Sequence, residues 1–240
     1  MKNISISSVI ISIQHDLKKN ADEKTKATAQ HFFKEHVNFY GVKTGAVVGI
    51  AKKYWKEVGN LPKQTIFDLC EALYKSGIME ESFLVSAWVP KMAGQFEKKD
   101  IDVFYHWINT YINNWASCDG FCNHSVGDFI TLYPEHIQTL KQWALSKNRW
   151  VKRAAAVSLI IPARRGKFLG DIFEIADILL MDSDDMVQKG YGWMLKEASR
   201  QHQKDVFAYV VKNKKVMPRT ALRYAIELMP QTLRKTAMEK

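Results

Sequence analysis

The chain has 240 residues, 47 % of them hydrophobic and 12 % aromatic, enough for a substantial core and too apolar for a disordered tail. Lys and Arg number 35 against 25 Asp and Glu, a formal charge of +10, which suits a nucleic acid or an anionic membrane equally and says nothing of fold. Three cysteines, Cys70, Cys118 and Cys122, cannot close a fully paired framework, which excludes a small disulfide scaffold and fits a reducing, cytoplasmic setting.

The opening "MKNISISSVIISI" carries one Lys and a short apolar run with no small-residue cleavage site, and "QHDLKK" follows it. It reads as the start of a first helix rather than a leader. No apolar stretch approaches the roughly 18 residues that cross a bilayer. Beyond it, apolar residues recur at helical spacing, as in Phe67, Leu69, Cys70 and Leu73, then Val103, Phe104, Trp107 and Ile108. Period-two runs are absent apart from the ambiguous "ISISSVIISI". Breaks fall at "VGNLPK", "SGIMEE", "LYPEH", "LSKN", "MDSDD" and "VMPR". Asn148 and Ser183 have the chemistry of N-caps, and Pro134 and Pro218 suit first-turn positions. The pattern predicts an all-α chain of a dozen or so helices, each of roughly 10–18 residues, with short connections and one domain over residues 1–240.

The C-terminal half carries a weak repeat. "WVKRAAAVSLI" (150–160), "MVQKGYGWMLK" (186–196) and "VMPRTALRYAI" (216–226) align so that Arg153, Lys189 and Arg219 coincide. Small residues follow each cation: Ala154 to Ala156, then Gly190 and Gly192, then Ala221. Helix pairs repeating every 30–45 residues mark an α-solenoid of HEAT-like repeats, whose second helices line a concave face. Arg149, Trp193 and Arg223 lie one turn from the aligned cations. A basic groove is the expectation.

On an earlier helix, "NNWASCDGF" sets Trp115 and Asp119 four residues apart, on one face. Arg and Lys match the phosphates of a nucleic-acid backbone, and Trp faces hold bases or sugars. A carboxylate repels phosphates, so Asp119 requires another reason. Cleavage of an N-glycosidic bond supplies one, because the departing base leaves the sugar with oxocarbenium character that a nearby carboxylate stabilises. At about 4 Å and an effective dielectric near 20, that contact is worth about 4 kcal/mol, roughly three orders of magnitude in rate. An already cationic alkylated purine needs no general acid to leave.

The segments "FYGVKT", "NNWASCD", "NRWVKRAA" and "VQKGYGWMLKE" together resemble the AlkD-type DNA alkylation-repair glycosylases, from roughly Val37 to Glu197. The resemblance implies a HEAT-like solenoid that excises positively charged alkylated purines, of the 3-methyladenine and 7-methylguanine class, from double-stranded DNA. It implies no metal or organic cofactor and a monomer without membrane attachment. By the same resemblance Asp119 is the catalytic carboxylate that stabilises the oxocarbenium ion and positions water. Trp115 and Trp193 then flank the sugar and lesion, and Arg153 holds the DNA backbone; the repeat alignment, not the resemblance, adds Lys189 as a backbone-contact candidate.

Taken alone, Asp119 reads as a solvated helix acid and Trp193 as a core residue. Arg153, a cation beside three alanines on an inner helix, needs an anionic partner. Cys118, Cys122 and His124 match no zinc spacing, and the two cysteines read as small buried residues, while Trp55, Trp88, Trp107 and Trp143 read as core packing between helices. The competing function is a non-catalytic helical-repeat scaffold that binds nucleic acid or an acidic protein.

Overall fold

The computed structural model of the chain describes residues 5–239, so the first residues of "MKNISISSVIISI" lie outside it. Among the described residues there are sixteen α-helices and two isolated β-bridges, Ala21 with Val42 and Asn38 with Ile78, and no strand. The all-α expectation holds, with helices of 5–15 residues, several shorter than periodicity predicts. No described helix is long and apolar enough to cross a membrane. The chain divides into two compact units, one ending at Phe121 and the other beginning at Cys122.

In the first unit, α1 (Ile6–Lys19), α2 (Glu23–Gln30), α3 (Thr44–Val58), α4 (Lys63–Lys75), α5 (Met79–Trp88), α6 (Asp100–Thr110) and α7 (Trp115–Phe121) succeed one another. The central helix is α5, which packs on α3, α4 and α7. Its sequence "MEESFLVSAW" has little polar face, and Leu84, Val85 and Trp88 are buried along with Glu80, Glu81 and Ser82. Apolar faces of α4 and α6 meet through Phe67, Tyr74, Phe104 and Trp107, an aromatic cluster with ring centroids 5.3–6.2 Å apart. Each fully buried ring contributes on the order of 1.5–3 kcal/mol. Trp88 and Trp107 are core residues as expected, whereas Trp55 is only half-buried and holds the Lys91 ammonium 5.0 Å above its ring.

The second unit opens on a π-helical turn, Cys122–Val126, and runs through α8 (Gly127–Leu132), α9 (Ile137–Ala144), α10 (Arg149–Val157), α11 (Ile160–Arg164), α12 (Leu169–Leu179), α13 (Asp185–Ala198), α14 (Gln203–Asn213), α15 (Arg219–Ala225) and α16 (Gln231–Met238). Here α10 packs on α13 and α13 on α15, so three successive inner helices lie side by side, as the repeat requires. Small residues set the spacing. A Cβ on Gly192 would stand 2.7 Å from Tyr224 Cβ and 2.8 Å from the Ala221 carbonyl oxygen, so only glycine permits this approach of α13 to α15.

Helix starts follow local chemistry. Asn148 caps α10, its Oδ1 accepting the Trp150 N–H at 2.9 Å. Asp184, not Ser183, caps α13, accepting from Met186 and Val187. A carboxylate wins that position because it also pairs with Arg149, whose Nη2 donates to Asp184 Oδ1 at 3.0 Å. Pro134 opens a short 3₁₀ turn as expected, while Pro218 sits one residue earlier than a first-turn proline, at the N-cap of α15.

Candidate functional site

Helix α7 begins where Asn114 Oδ1 accepts the Ser117 N–H at 2.9 Å, leaving Trp115 as its first residue and Asp119 one turn later on the same side. Three contacts fix it. The Ser117 and Ser82 hydroxyls hydrogen-bond at 2.7 Å; Gly120 lies so close to α5 that an added Cβ would meet Ser86 Oγ at 3.3 Å; and Phe121 inserts between Tyr74, Phe104 and Trp107. Asp119 is therefore a carboxylate on a rigid element, with 9 % of its surface exposed. Burial to that degree is unusual for an unspecialised helix acid.

Trp115 is half-buried. Its ring stacks on Phe33 with centroids 5.5 Å apart, and its indole N–H donates to the Phe32 carbonyl at 3.3 Å. A cavity of about 410 Å³ opens beside it, lined by Phe33, Phe83, Met79 and Lys43 among others. The "FYGVK" loop forms part of the same wall. Glu80, almost fully buried, accepts the backbone N–H groups of Tyr40, Gly41 and Val42 at 3.1, 2.8 and 3.0 Å. Gly41 has φ +92°, and a Cβ there would come within 2.6 Å of Lys26 Cβ, so the glycine of this segment is a steric requirement. Tyr40 donates its hydroxyl to Glu81 at 2.8 Å; burial first, then that carboxylate, pushes the phenol above its ordinary pKa.

In the second unit, Arg153 is 5 % exposed and donates to the Met186 carbonyl at the start of α13. Gly190 makes room for it, since a Cβ there would touch Arg153 Cγ at 3.3 Å. Two neighbouring cations of α10 also meet the loop leading into α13, Arg149 binding Asp184 and Lys152 binding Asp182. Arg149 thus joins two helices and is not a free groove cation. Lys189 and Trp193 lie one turn apart on α13. Lys189 Nζ is 3.4 Å from Asp185 and partly exposed. The half-buried Trp193 donates its indole N–H to Glu197 Oε1 at 3.3 Å, which argues against a simple core role.

Glu197 itself was not singled out by its sequence. It is 3 % exposed, and its Oε2 accepts from Arg164 Nε at 2.8 Å and Arg200 Nε at 2.7 Å. Burial pushes its pKa up, but the two guanidinium hydrogen bonds and their charges outweigh it and hold the carboxyl below its ordinary range. Its placement four residues after Trp193 was the available signal. Glu80 and Glu81 were signalled likewise, as adjacent acids inside an otherwise apolar helix.

Trp115 and Asp119 are thus brought together on one helix, and Arg153, Lys189 and Trp193 along one helix pair. Arg219 departs from the expected alignment: it is the first residue of α15, exposed, and its guanidinium donates to the Met238 carbonyl at 3.2 Å. The three cysteines are buried and reduced. Burial raises the Cys70 thiol pKa well above its ordinary value. Among the described residues, no three His, Cys, Asp or Glu side chains gather as a metal site.

Comparison with known proteins accords with this architecture. The model of the family described as DNA alkylation repair enzyme matches residues 13–229. A solved structure titled as a predicted DNA alkylation repair enzyme from Enterococcus faecalis superposes with a TM-score of 0.77 at 18 % identity, covering 88 % of this chain and 98 % of that one. At that identity the superposition speaks for the fold alone. No curated protein matches the chain. With a family match over nearly its whole length, the chain belongs to the DNA alkylation repair enzyme family.

Proposed function

We propose that the protein is a monofunctional DNA glycosylase that hydrolyses the N-glycosidic bond of positively charged alkylated purines, of the 3-methyladenine and 7-methylguanine class, in double-stranded DNA. The observation that carries this reading is Asp119, a carboxylate nearly removed from solvent on a helix fixed by three contacts, with Trp115 one turn before it in a strongly basic chain. In the reaction the C1′–N bond breaks and its electron pair neutralises the cationic base, so no general acid is needed. The sugar passes through an oxocarbenium-like state that Asp119 stabilises. Water then bonds to C1′ and gives up a proton, with Asp119 orienting its attack.

Trp115, steadied by Phe33, and Trp193, steadied by Glu197, present ring faces to the sugar and lesion. Arg153 and Lys189 hold backbone phosphates. In this reading the chain works as a single helical-repeat domain over residues 1–240, as a monomer, and needs neither a metal nor an organic cofactor. The test is release of free base from methylated duplex DNA under single-turnover conditions. Wild type releases 3-methyladenine or 7-methylguanine, and Asp119→Asn slows release by about three orders of magnitude while binding DNA equally well. If wild type releases no base yet binds DNA, the chain is a non-catalytic scaffold instead.

A further inference from the structure

The structure corrects the register of the repeat, and the correction exposes a second anion site. Asn148, Asp184 and Pro218 are the N-caps of α10, α13 and α15, three inner helices packed in sequence. Counted from those caps, Arg153 and Lys189 are each the fifth residue of their helix. The fifth residue of α15 is Arg223, not Arg219. The spacings become 36 and 34 residues, more even than the 36 and 30 of the sequence alignment.

Arg223 lines an open cavity of about 720 Å³ between α15 and α16, together with Arg234 and Lys235. All three side chains are exposed, and none forms an ion pair or hydrogen bond with a carboxylate among the described residues. The one acid in the wall, Glu227, is engaged by Lys196 at 3.0 Å, whose ammonium also sits 5.6 Å from the Tyr224 ring centroid. The surrounding segment is strongly basic. Residues 212–239 contain seven Lys and Arg against two Glu, a surplus equal to half of the chain's +10. Converging cations that the protein leaves uncompensated repel one another, a cost that a bound polyanion reverses.

We propose that this cavity is a phosphodiester-binding site that grips the DNA backbone away from the lesion, with Arg223, Arg234 and Lys235 as its ligands. The inference rests on the DNA-processing reading above and adds a separate anchoring contact to it. Two guanidinium forks and an ammonium suit non-bridging phosphate oxygens, and the volume admits more than one phosphate group. Such a site confers affinity without reading sequence or damage.

The test uses the full chain and its Arg223→Gln/Arg234→Gln/Lys235→Gln variant, with a fluorescent undamaged duplex titrated at several salt concentrations. If each cation meets one phosphate, the slope of log K against log salt falls by about two to three units. Arg234→Gln alone, at an exposed position, lowers the slope by about one unit, which keeps the test valid should the triple variant fold poorly. An unchanged slope overturns the inference, as does a loss of binding only to an acidic peptide or to anionic lipid vesicles. Pocket-dependent DNA binding by a wild type that releases no base leaves the inference standing and refutes the glycosylase reading. Base release with a pocket-independent slope does the reverse.

Discussion

Replacing Glu197 tests how the second unit holds Trp193. Its carboxylate accepts from Arg164, Arg200 and the Trp193 indole while being only 3 % exposed. Hydrogen bonds to ionised groups contribute about 1.5–3 kcal/mol when both partners are buried. The Arg164 and Arg200 side chains are 51 % and 44 % exposed, so screening reduces each of those to about 0.5–1 kcal/mol. The longer indole bond adds about 0.5–1 kcal/mol. Glu197→Gln keeps the shape and one carbonyl acceptor but loses the charge, and is expected to cost about 1–2 kcal/mol. For a chain of this size that lowers Tm by about 2–8 °C. The pH dependence separates charge from shape. Because the folded carboxyl titrates below its ordinary range, its stabilisation is complete above the unfolded pKa of about 4.3 and is lost as pH falls through the folded value. The Tm gap between wild type and Glu197→Gln, followed by circular dichroism, is therefore full near neutral pH and closes below about pH 4.5. A gap that is constant with pH, or widens in acid, would refute the charge-based account.

Three glycines make contrasting predictions, each read as a shift in Tm. Gly192→Ala forces α13 from α15 at contacts of 2.7 and 2.8 Å that involve backbone, and should destabilise by about 1–3 kcal/mol or more. Gly49→Ala, mid-helix in α3 with nothing within 4 Å of the new Cβ, should stabilise by about 0.5–1 kcal/mol. Gly41→Ala combines a positive φ with a clash against Lys26, and should cost more than either effect alone and release the loop from Glu80. If Gly192→Ala raises Tm as Gly49→Ala does, the close approach of α13 and α15 is wrong.

What the sequence disclosed and what it withheld divide along a physical line. Helical periodicity is a property of single segments, so the all-α class, the buried faces of α4 and α6, and the Trp115–Asp119 spacing were legible directly. So was the Asn148 cap, which needs only its own helix. The misreadings arise where two segments meet. Ser183 lost its cap to Asp184 because α10 supplies Arg149 to that carboxylate. Trp55 meets Trp88 of α5, with centroids 6.3 Å apart, yet stays half-exposed beside the Lys91 ammonium, a neighbour distant in sequence. Glu80, Glu81 and Glu197 escaped notice because an acid reads as surface until its donors come from other elements.

The repeat shows the same limit at larger scale. Matching cation to cation placed Arg219 with Arg153 and Lys189, because side-chain type was the only ruler available. Position within a helix is set by the cap, and a residue at the first position projects from the helix end whereas one at the fifth lies beneath a full turn. Pro218 fixes the start of α15 by occupying its N-cap, and with it the depth of every residue that follows. Arg223, then, stands at the depth where α10 carries Arg153 and α13 carries Lys189, and the basic repeat runs on into the cavity against α16. The equivalence that matters for phosphate contact is one of helical register, and the caps define it.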